Sequence, residues 1–264
     1  MTHRSFQYSR GSLLASLGAF SPMVGPLVLV VALAACATAP PYNPFQISEE
    51  QFHTKVKRIA LAPIAVPPQL GVSESAKLRF DSLIEAKLQE AGFATFPAKN
   101  WGEVFARMQQ EVGGVFDPRT GSPDETKTKT VFARTTDEIR SRFQFDTVLL
   151  PRVHVVKAQW SSASARWDGV SESLASGLAV LGAPNASGTM PALSLVVSIG
   201  SPDLDGPAQY RHRAGIQVLE KLTPITERFS GKLFAPVPRE ELLTNDERNR
   251  AAVEIALGPL MKKP

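Results

Sequence analysis

The stretch Val56-Lys-Arg-Ile-Ala-Leu-Ala-Pro-Ile64 accepts few environments. Ile59, Leu61 and Pro63 alternate with Ala60 and Ala62, so a strand here is apolar on both sides beyond Arg58. A strand with two apolar faces belongs in the middle of a sheet that helices cover. Pro63 cannot donate to a ladder and must stand near the strand's end. A helix is expected next, over Ser73–Ala91, with Ser73 or Ser75 as cap. Phe80, Leu83, Ile84, Leu88 and Ala91 recur at helical spacing. Gly92 ends it, Phe93–Phe96 gives a short second strand, and Pro97 closes that strand. Strand, helix and strand with tight connections form a βαβ crossover with parallel strands.

The next elements are expected as follows. Asn100 caps a helix over Trp101–Glu111, and residues 113–124 form a loop dense in turn formers. Thr136 starts a third helix, with Ile139 and Phe143 four apart. Thr147–Gln159 is a long strand. Its Leu149, Pro151, Val153 and Val155 point one way, and Val148, Leu150, Arg152, His154 and Val156 the other, so one face turns polar midway. Trp160–Asp168 returns as a hairpin arm, and residues 170–190 read as a mobile excursion. Leu193–Ile199 and Gln209–Lys221 read as an antiparallel pair. In the second of these, Tyr210, His212, Ala214, Ile216 and Val218 share a side, with Arg211, Arg213, Gln217 and Lys221 opposite. Thr244 or Asn245 caps a final helix over Asp246–Leu260. The order β-α-β-α-α-β-β-β-β-α implies an α/β (α+β) fold, a mixed sheet with helices mainly on one face.

Ahead of this body lies a different kind of segment. Residues 1–12 carry His3, Arg4 and Arg10 and no acidic group, and Leu13–Ala35 is apolar or small. A basic start, an apolar middle and small residues at the end make a secretory signal. Gly18, Pro22, Gly25 and Pro26 leave an apolar core far shorter than the ~20 residues that span a bilayer. The segment ends in Leu33-Ala-Ala-Cys36, and Cys36 is the only cysteine. This tetrapeptide resembles the lipobox of bacterial lipoproteins. The resemblance implies cleavage after Ala35, a diacylglycerol on the Cys36 sulfur and an N-acyl chain on its new amine. It also implies anchoring to the lipid bilayer, which two or more chains make stable. Ala37 follows, with no Asp there, which in enterobacterial lipoproteins implies sorting to the outer membrane, facing the periplasm. The expected divisions are 1–35 leader, 36–52 lipidated proline-rich tether and 53–264 a single periplasmic domain.

Two function classes lose support at this point. The net charge of +4 falls to +2 once Arg4 and Arg10 leave with the leader, and no Lys/Arg cluster with interleaved aromatics occurs, so nucleic acid is not an expected partner. With Cys36 lipidated, the domain has no thiol for disulfides, metal or nucleophilic attack. An ordinary apolar core must hold it together.

Three stretches carry a wider resemblance: Lys57-Arg-Ile-Ala-Leu-Ala-Pro63, Glu85-Ala-Lys-Leu-Gln-Glu-Ala-Gly-Phe-Ala-Thr-Phe-Pro-Ala98, and Phe143-Gln-Phe-Asp-Thr-Val-Leu-Leu-Pro-Arg-Val-His-Val-Val156. Over about residues 55–158 the chain is similar to a group of periplasmic lipoproteins. That group includes activators of penicillin-binding proteins, the curli secretion lipoprotein and proteins sharing the N-terminal domain of the translocation protein TolB. The resemblance implies a TolB N-terminal-like fold and carries no catalytic motif.

No His-x-x-x-His pair occurs, and the single Glu-x-x-His spacing, Glu50 to His53, has no second such motif to complete a metal site, although His154 and His212 lie on strands and could meet across a sheet. No nucleophile elbow, phosphate loop or dinucleotide fingerprint occurs, and Ser194 and Ser198 fall mid-strand. Asp117, Thr120 and Asp124 around Gly121 read as a self-bonded turn rather than a calcium loop. Trp160, Arg166, Trp167 and Asp168 are the candidate partner-binding residues, since tryptophan and arginine anchor interfaces. The expected function is a non-enzymatic lipoprotein of the cell envelope, without a cofactor beyond its acyl chains, that binds an envelope protein through its sheet edge or the 160–170 segment. Self-association into a homo-oligomer stays open. The alternatives are a lipid- or glycan-handling component of an export system, and a hydrolase with carboxylates gathered from distant parts of the chain.

Overall fold

A computed structural model describes residues 42–175, 185–200, 207–228 and 231–261. Cys36 and the expected leader, residues 1–35, lie outside them. The folded unit begins at Asn43, ahead of the expected boundary at residue 53. Helix α1 (Glu49–Lys55) accounts for the difference. Ser48 Oγ accepts from Gln51 N, and Phe52 is fully buried. Phe45 packs edge-on against both Phe52 and Tyr210.

Strand β1 (Arg58–Leu61) buries Ile59, Ala60 and Leu61 completely, as its two apolar faces require. Helix α2 (Glu74–Glu90) is capped by Ser73 Oγ, which accepts from Ala76 N. Phe80, Ile84 and Leu88 form its inward face. Strand β2 (Ala94–Phe96) pairs parallel with β1, which closes the expected crossover. Helix α3 (Ala98–Val112) begins two residues after β2 ends, and its N-cap position is Pro97, at φ −63°. Asn100, the expected cap, therefore lies inside the helix. Helix α4 (Glu125–Phe143) starts well before Thr136, because Asp124 Oδ1 accepts from Lys127 N. Its first two turns are rich in Lys and Thr, so apolar periodicity does not announce them.

Strand β3 (Thr147–Ser161) is the spine. It pairs parallel with β1 at its start and antiparallel along its length with β6 (Ser187–Gly200). Asp146 Oδ2 accepts from Lys57 N and Arg58 N, which ties the starts of β1 and β3 together. Between β3 and β6 in sequence come β4 (Ser164–Trp167) and β5 (Val170–Ser173), a hairpin whose turn residues Asp168 and Gly169 both have positive φ, as an Asp-Gly turn demands. Strand β7 (Tyr210–Val218) pairs with β6. Three shorter elements follow: β8 (Glu220–Leu222), helix α5 (Ile225–Arg228) and β9 (Phe234–Pro236), with β8 and β9 pairing as a two-stranded sheet. Helix α6 (Asp246–Leu257), capped by Asn245 Oδ1 on Arg248 N, is followed by a single 3-10 turn, Gly258–Leu260. The fold is a mixed α+β sheet. Relative to the expected order it adds α1, β5, β8, α5 and β9.

One face of the sheet packs on α2 and α6 along most of its length, through Leu61, Leu149, Leu195, Val197 and Ala214. The second face is covered at two ends only. At the parallel end, Ala60 and Val148 meet Trp101, Ile139 and Phe145 of the α3–α4 side. At the far end, Ala158, Met190 and Ala192 meet Trp160, Trp167 and Leu174.

Candidate functional site

A bulge between β6 and β7 shapes the far end. Leu193 opposes Gln217 and Ser194 opposes Gly215, so Ile216 is the extra residue. Beyond it the alternation inverts. Val218 joins the far-end cluster of the second face instead of following Ile216, and Gln217 turns to accept from Leu243 N. The β4–β5 hairpin fastens onto this bulge. Trp167 Nε1 donates to Leu193 O at 3.0 Å, Gly215 N to Asp168 O at 2.9 Å, and Ser194 Oγ to Asp168 Oδ2 at 2.7 Å. Arg213 Nε stands 3.1 Å from Asp168 Oδ1. One turn further, Val218 N donates to Glu172 Oε2 at 2.8 Å and Arg248 Nη1 stands 2.7 Å from Oε1. Burial pushes the Glu172 carboxyl above its ordinary range, against the opposing pull of the Val218 amide and Arg248.

The expected partner-binding residues are therefore not an exposed patch. Trp160 and Trp167 are each 8 % exposed, and Trp160 packs edge-on against Phe234. Strand alternation sends Trp160 and Trp167 inward, and Asp168 is held by Ser194 and Arg213. Only Arg166 of the four faces solvent. Two glycines admit the indoles. A Cβ on Gly188 would fall 2.9 Å from Trp160 Nε1, and one on Gly215 would fall 2.1 Å from Val170 Cγ2 and 2.7 Å from Trp167 Nε1.

Other candidates separate in the same way. His154 pairs with Ser194 on the second face, whereas His212 lies on the first, stacked near Tyr210, so the two histidines do not meet. Burial is the main cause holding the His212 pKa below its usual value. Among the described residues no group of three metal-binding side chains occurs. Ser194 is fully buried beneath the hairpin, and its hydroxyl donates to Asp168 Oδ2, a bond that fastens the hairpin. The Asp117 loop closes on itself: Asp117 Oδ1 accepts from Arg119 N, Gly121 N donates to Asp117 O, and Gly121 has φ +67°. The buried carboxylates Asp81 and Glu172 are not neighbours. Charges near Asp81 are Glu74, Glu85 and Lys77, and near Glu172 they are Arg248 and Lys221. Asp81 Oδ1 accepts from Ile64 N at 2.8 Å, yet burial outweighs that bond and raises its pKa to about 7.

Between the two covered ends, the second face is bare. Two registered rows cross it, Leu150–Ser198–Arg211 and Arg152–Val196–Arg213, and in the next row, His154–Ser194–Gly215, the hairpin covers Ser194 and Gly215. Arg152, His154, Arg211 and Arg213 are exposed, and Val196 and Ser198 are half-buried. Strands β3, β6 and β7 carry no acidic residue at all. Nearby, the edge of β3 opposite β6 is open among the described residues between Val153, whose N–H donates to Ala65 O, and Gln159, which pairs with Arg166. A cavity of about 370 Å³ lies at this stretch, lined by Val155, Val156, Lys157, Thr189, Met190 and Pro191. Val155 is 51 % exposed there. Sequence alternation had placed Arg152 with His154 and Arg211 with Arg213, each pair on one side of its own strand. Only register shows that the pairs share a face.

The architecture is that of an α+β domain built on one mixed sheet, with an internal hairpin and a bare basic band. No family model matches the sequence, and no curated protein matches it. Among solved structures, lipoprotein GNA1162 from Neisseria meningitidis is similar at 13 % identity and a TM-score of 0.30, covering 61 % of this chain and 82 % of that one. A PelC dodecamer from Paraburkholderia phytofirmans is similar at 10 % identity and a TM-score of 0.27, covering 79 % of this chain and 91 % of that one. Among the described residues no helix is long and apolar enough to cross a membrane.

Proposed function

We propose that this chain is a membrane-anchored lipoprotein of the bacterial cell envelope, held by acyl chains on Cys36, which binds a protein partner and performs no catalysis. The observation that carries partner binding is the bare band of the second face. The polar groups beneath the hairpin are spent on fastening it, Arg213 among them through Asp168, whereas Arg152 and His154 are exposed on a rigid sheet with the exposed Arg211 beside them. What supports anchoring is Leu33-Ala-Ala-Cys36 behind its basic and apolar leader. The absence of Asp at position 37 favours the outer membrane, with the domain facing the periplasm.

Replacing Cys36 by Ser is expected to move the protein from the membrane to the soluble fraction. Unchanged fractionation refutes the anchor. A photo-crosslinking residue at Val196 is expected to capture an envelope protein in living cells, and no capture there or at Lys157 refutes partner binding. A second reading, the handling of lipid or glycan for an export system, draws on the cavity beside Val155, whose volume is near the lower end for small-molecule sites. Lipid or oligosaccharide in a solvent extract of the purified protein supports it; a clean extract removes it.

A further inference from the structure

We infer, building on the partner-binding reading above, that the open edge of β3 between Ala65 and β4 takes up one extended segment of a protein partner as an added strand.

Backbone direction selects the occupant. The odd-numbered residues of β3 turn their amide and carbonyl groups away from β6. Leu149 O accepts from Ala62 N, Pro151 O accepts from Ala65 N, and Val153 N donates to Ala65 O. The same phase is taken up again by β4, where Gln159 lies opposite Arg166 and Ser161 opposite Ser164. Between these neighbours, Val153 O and both backbone groups of Val155 and Lys157 point outward with no hydrogen-bond partner among the described residues. Sequence creates the opening. The next residue in phase to serve Val153 O is Pro67, which has no N–H, and Pro68 starts a 3-10 turn that leads the chain away. A row of alternating donors and acceptors that repeats about every 7 Å is what the backbone of an extended peptide matches. Strand addition to a sheet edge draws its affinity from such main-chain bonds.

Shape narrows the choice to a single segment. From Val153 to Gln159 the opening runs about 20 Å, room for about five extended residues. The Ala65 segment and β4 fill the neighbouring strand position at its two ends, so the open edge is recessed. The same edge of a second copy is recessed in the same way, and two recessed edges cannot meet. A loop or tail can enter. Its residue opposite Val155 would share that valine's face of the sheet, where Val155 is 51 % exposed beside the cavity of about 370 Å³. An apolar side chain there would cover both. Segments of this chain outside the described residues fall short. Residues 176–184 start and end beside the β3–β4 turn, where Leu174 N donates to Ala163 O and Ser162 N to Ala186 O. Out and back, they reach about 17 Å, whereas Val155 is about 20 Å along β3 from Ser161. Residues 201–206 follow Gly200, opposite Val148 at the other end. The tether enters beyond β7, where Pro44 O accepts from Arg211 N. That is four strand spacings, about 19 Å, from the opening, and its Pro40 and Pro41 lack the donors an added strand needs.

The test uses the full chain and a fluorescein-labelled peptide, Ser-Val-Thr-Val-Thr-Val-Ser, followed by anisotropy. Saturable binding is expected. Only one edge of an added strand bonds to β3, so N-methylation of the peptide's valines and of its threonines should differ. One set is expected to weaken binding at least tenfold and the other far less. Equal effects of the two sets, or no saturable binding, overturn the inference. Val155→Pro removes an outward donor and leaves the bonds to β6 in place, as Pro151 already does in the same phase of β3. It is expected to weaken the peptide at least tenfold, and equal binding overturns the inference. Circular dichroism checks its folding; if it does not fold, the methylated pair decides alone. A dimer in sedimentation that Val155→Pro dissolves would make the occupant a second copy and overturn the inference. In cells, capture from Lys157 is expected to be lost in Val155→Pro. Capture that persists overturns the edge and leaves partner binding standing, whereas a chain that captures nothing from Val196 or Lys157 overturns the reading beneath it.

Discussion

Gly215→Ala is the sharpest probe of how the far end is built. Gly215 lies under the β4–β5 hairpin, where an added Cβ would stand 2.1 Å from Val170 Cγ2, 2.7 Å from Trp167 Nε1 and 2.8 Å from Trp167 Cε2. None of these distances is tolerable, and the backbone of a paired β7 residue cannot retreat far. The hairpin must lift. Mild overpacking costs about 1–3 kcal/mol. Full loss of a buried tryptophan's packing costs about 3–5 kcal/mol. Lifting the hairpin falls between these, because Trp167 moves without leaving, while the bonds Trp167 Nε1–Leu193 O and Gly215 N–Asp168 O stretch together. The expected loss is about 3 kcal/mol, measured by urea denaturation, with tryptophan emission shifted to the red. Val170→Ala in the same chain removes the shortest contact but leaves the indole contacts, so it should restore part of the loss, a non-additive result expected of touching residues. Stability within about 0.5 kcal/mol of the parent, the range of an ordinary surface change, together with unshifted emission, would refute the account of the hairpin.

Three further outcomes are expected. Asp81 has its pKa raised from 3.8 to about 7, so the folded state holds a proton that the unfolded state releases. Its contribution is present at low pH and lost as pH rises from about 4 to 7, by at most about 4 kcal/mol. Asp81→Asn should flatten that part of the pH–stability curve and gain about 2 kcal/mol at pH 8; parallel curves would contradict the assignment. Arg248→Met leaves Glu172 buried without its cation and should cost about 2 kcal/mol. Because burial already raises the Glu172 pKa, that cost should grow as pH rises and the carboxyl ionises, which paired denaturation curves would show. Asp146→Ala removes the acceptor shared by Lys57 N and Arg58 N at an exposed site that water can enter, so it should cost only about 1 kcal/mol by thermal unfolding.

Much of this protein is local and therefore readable in its residues. Ile59, Ala60 and Leu61 demand a covered strand whatever surrounds them. Phe80, Ile84 and Leu88 repeat at helical spacing, Asn245 caps α6, and Asp168-Gly169 sets a two-residue turn. The tetrapeptide ending at Cys36 is likewise a local signal, and it speaks of attachment, not of the fold. What stayed hidden depends on residues far apart in sequence. Trp160 and Trp167 look like interface anchors until Gly188 and Gly215 are seen to make room for them inside. A bulge at Ile216 reverses the facing of Gln217 and Val218, and no residue nearby announces it. The basic band arises only when β3, β6 and β7 settle into register, because alternation fixes which side of its own strand a residue takes, while register alone decides which residues on other strands it meets.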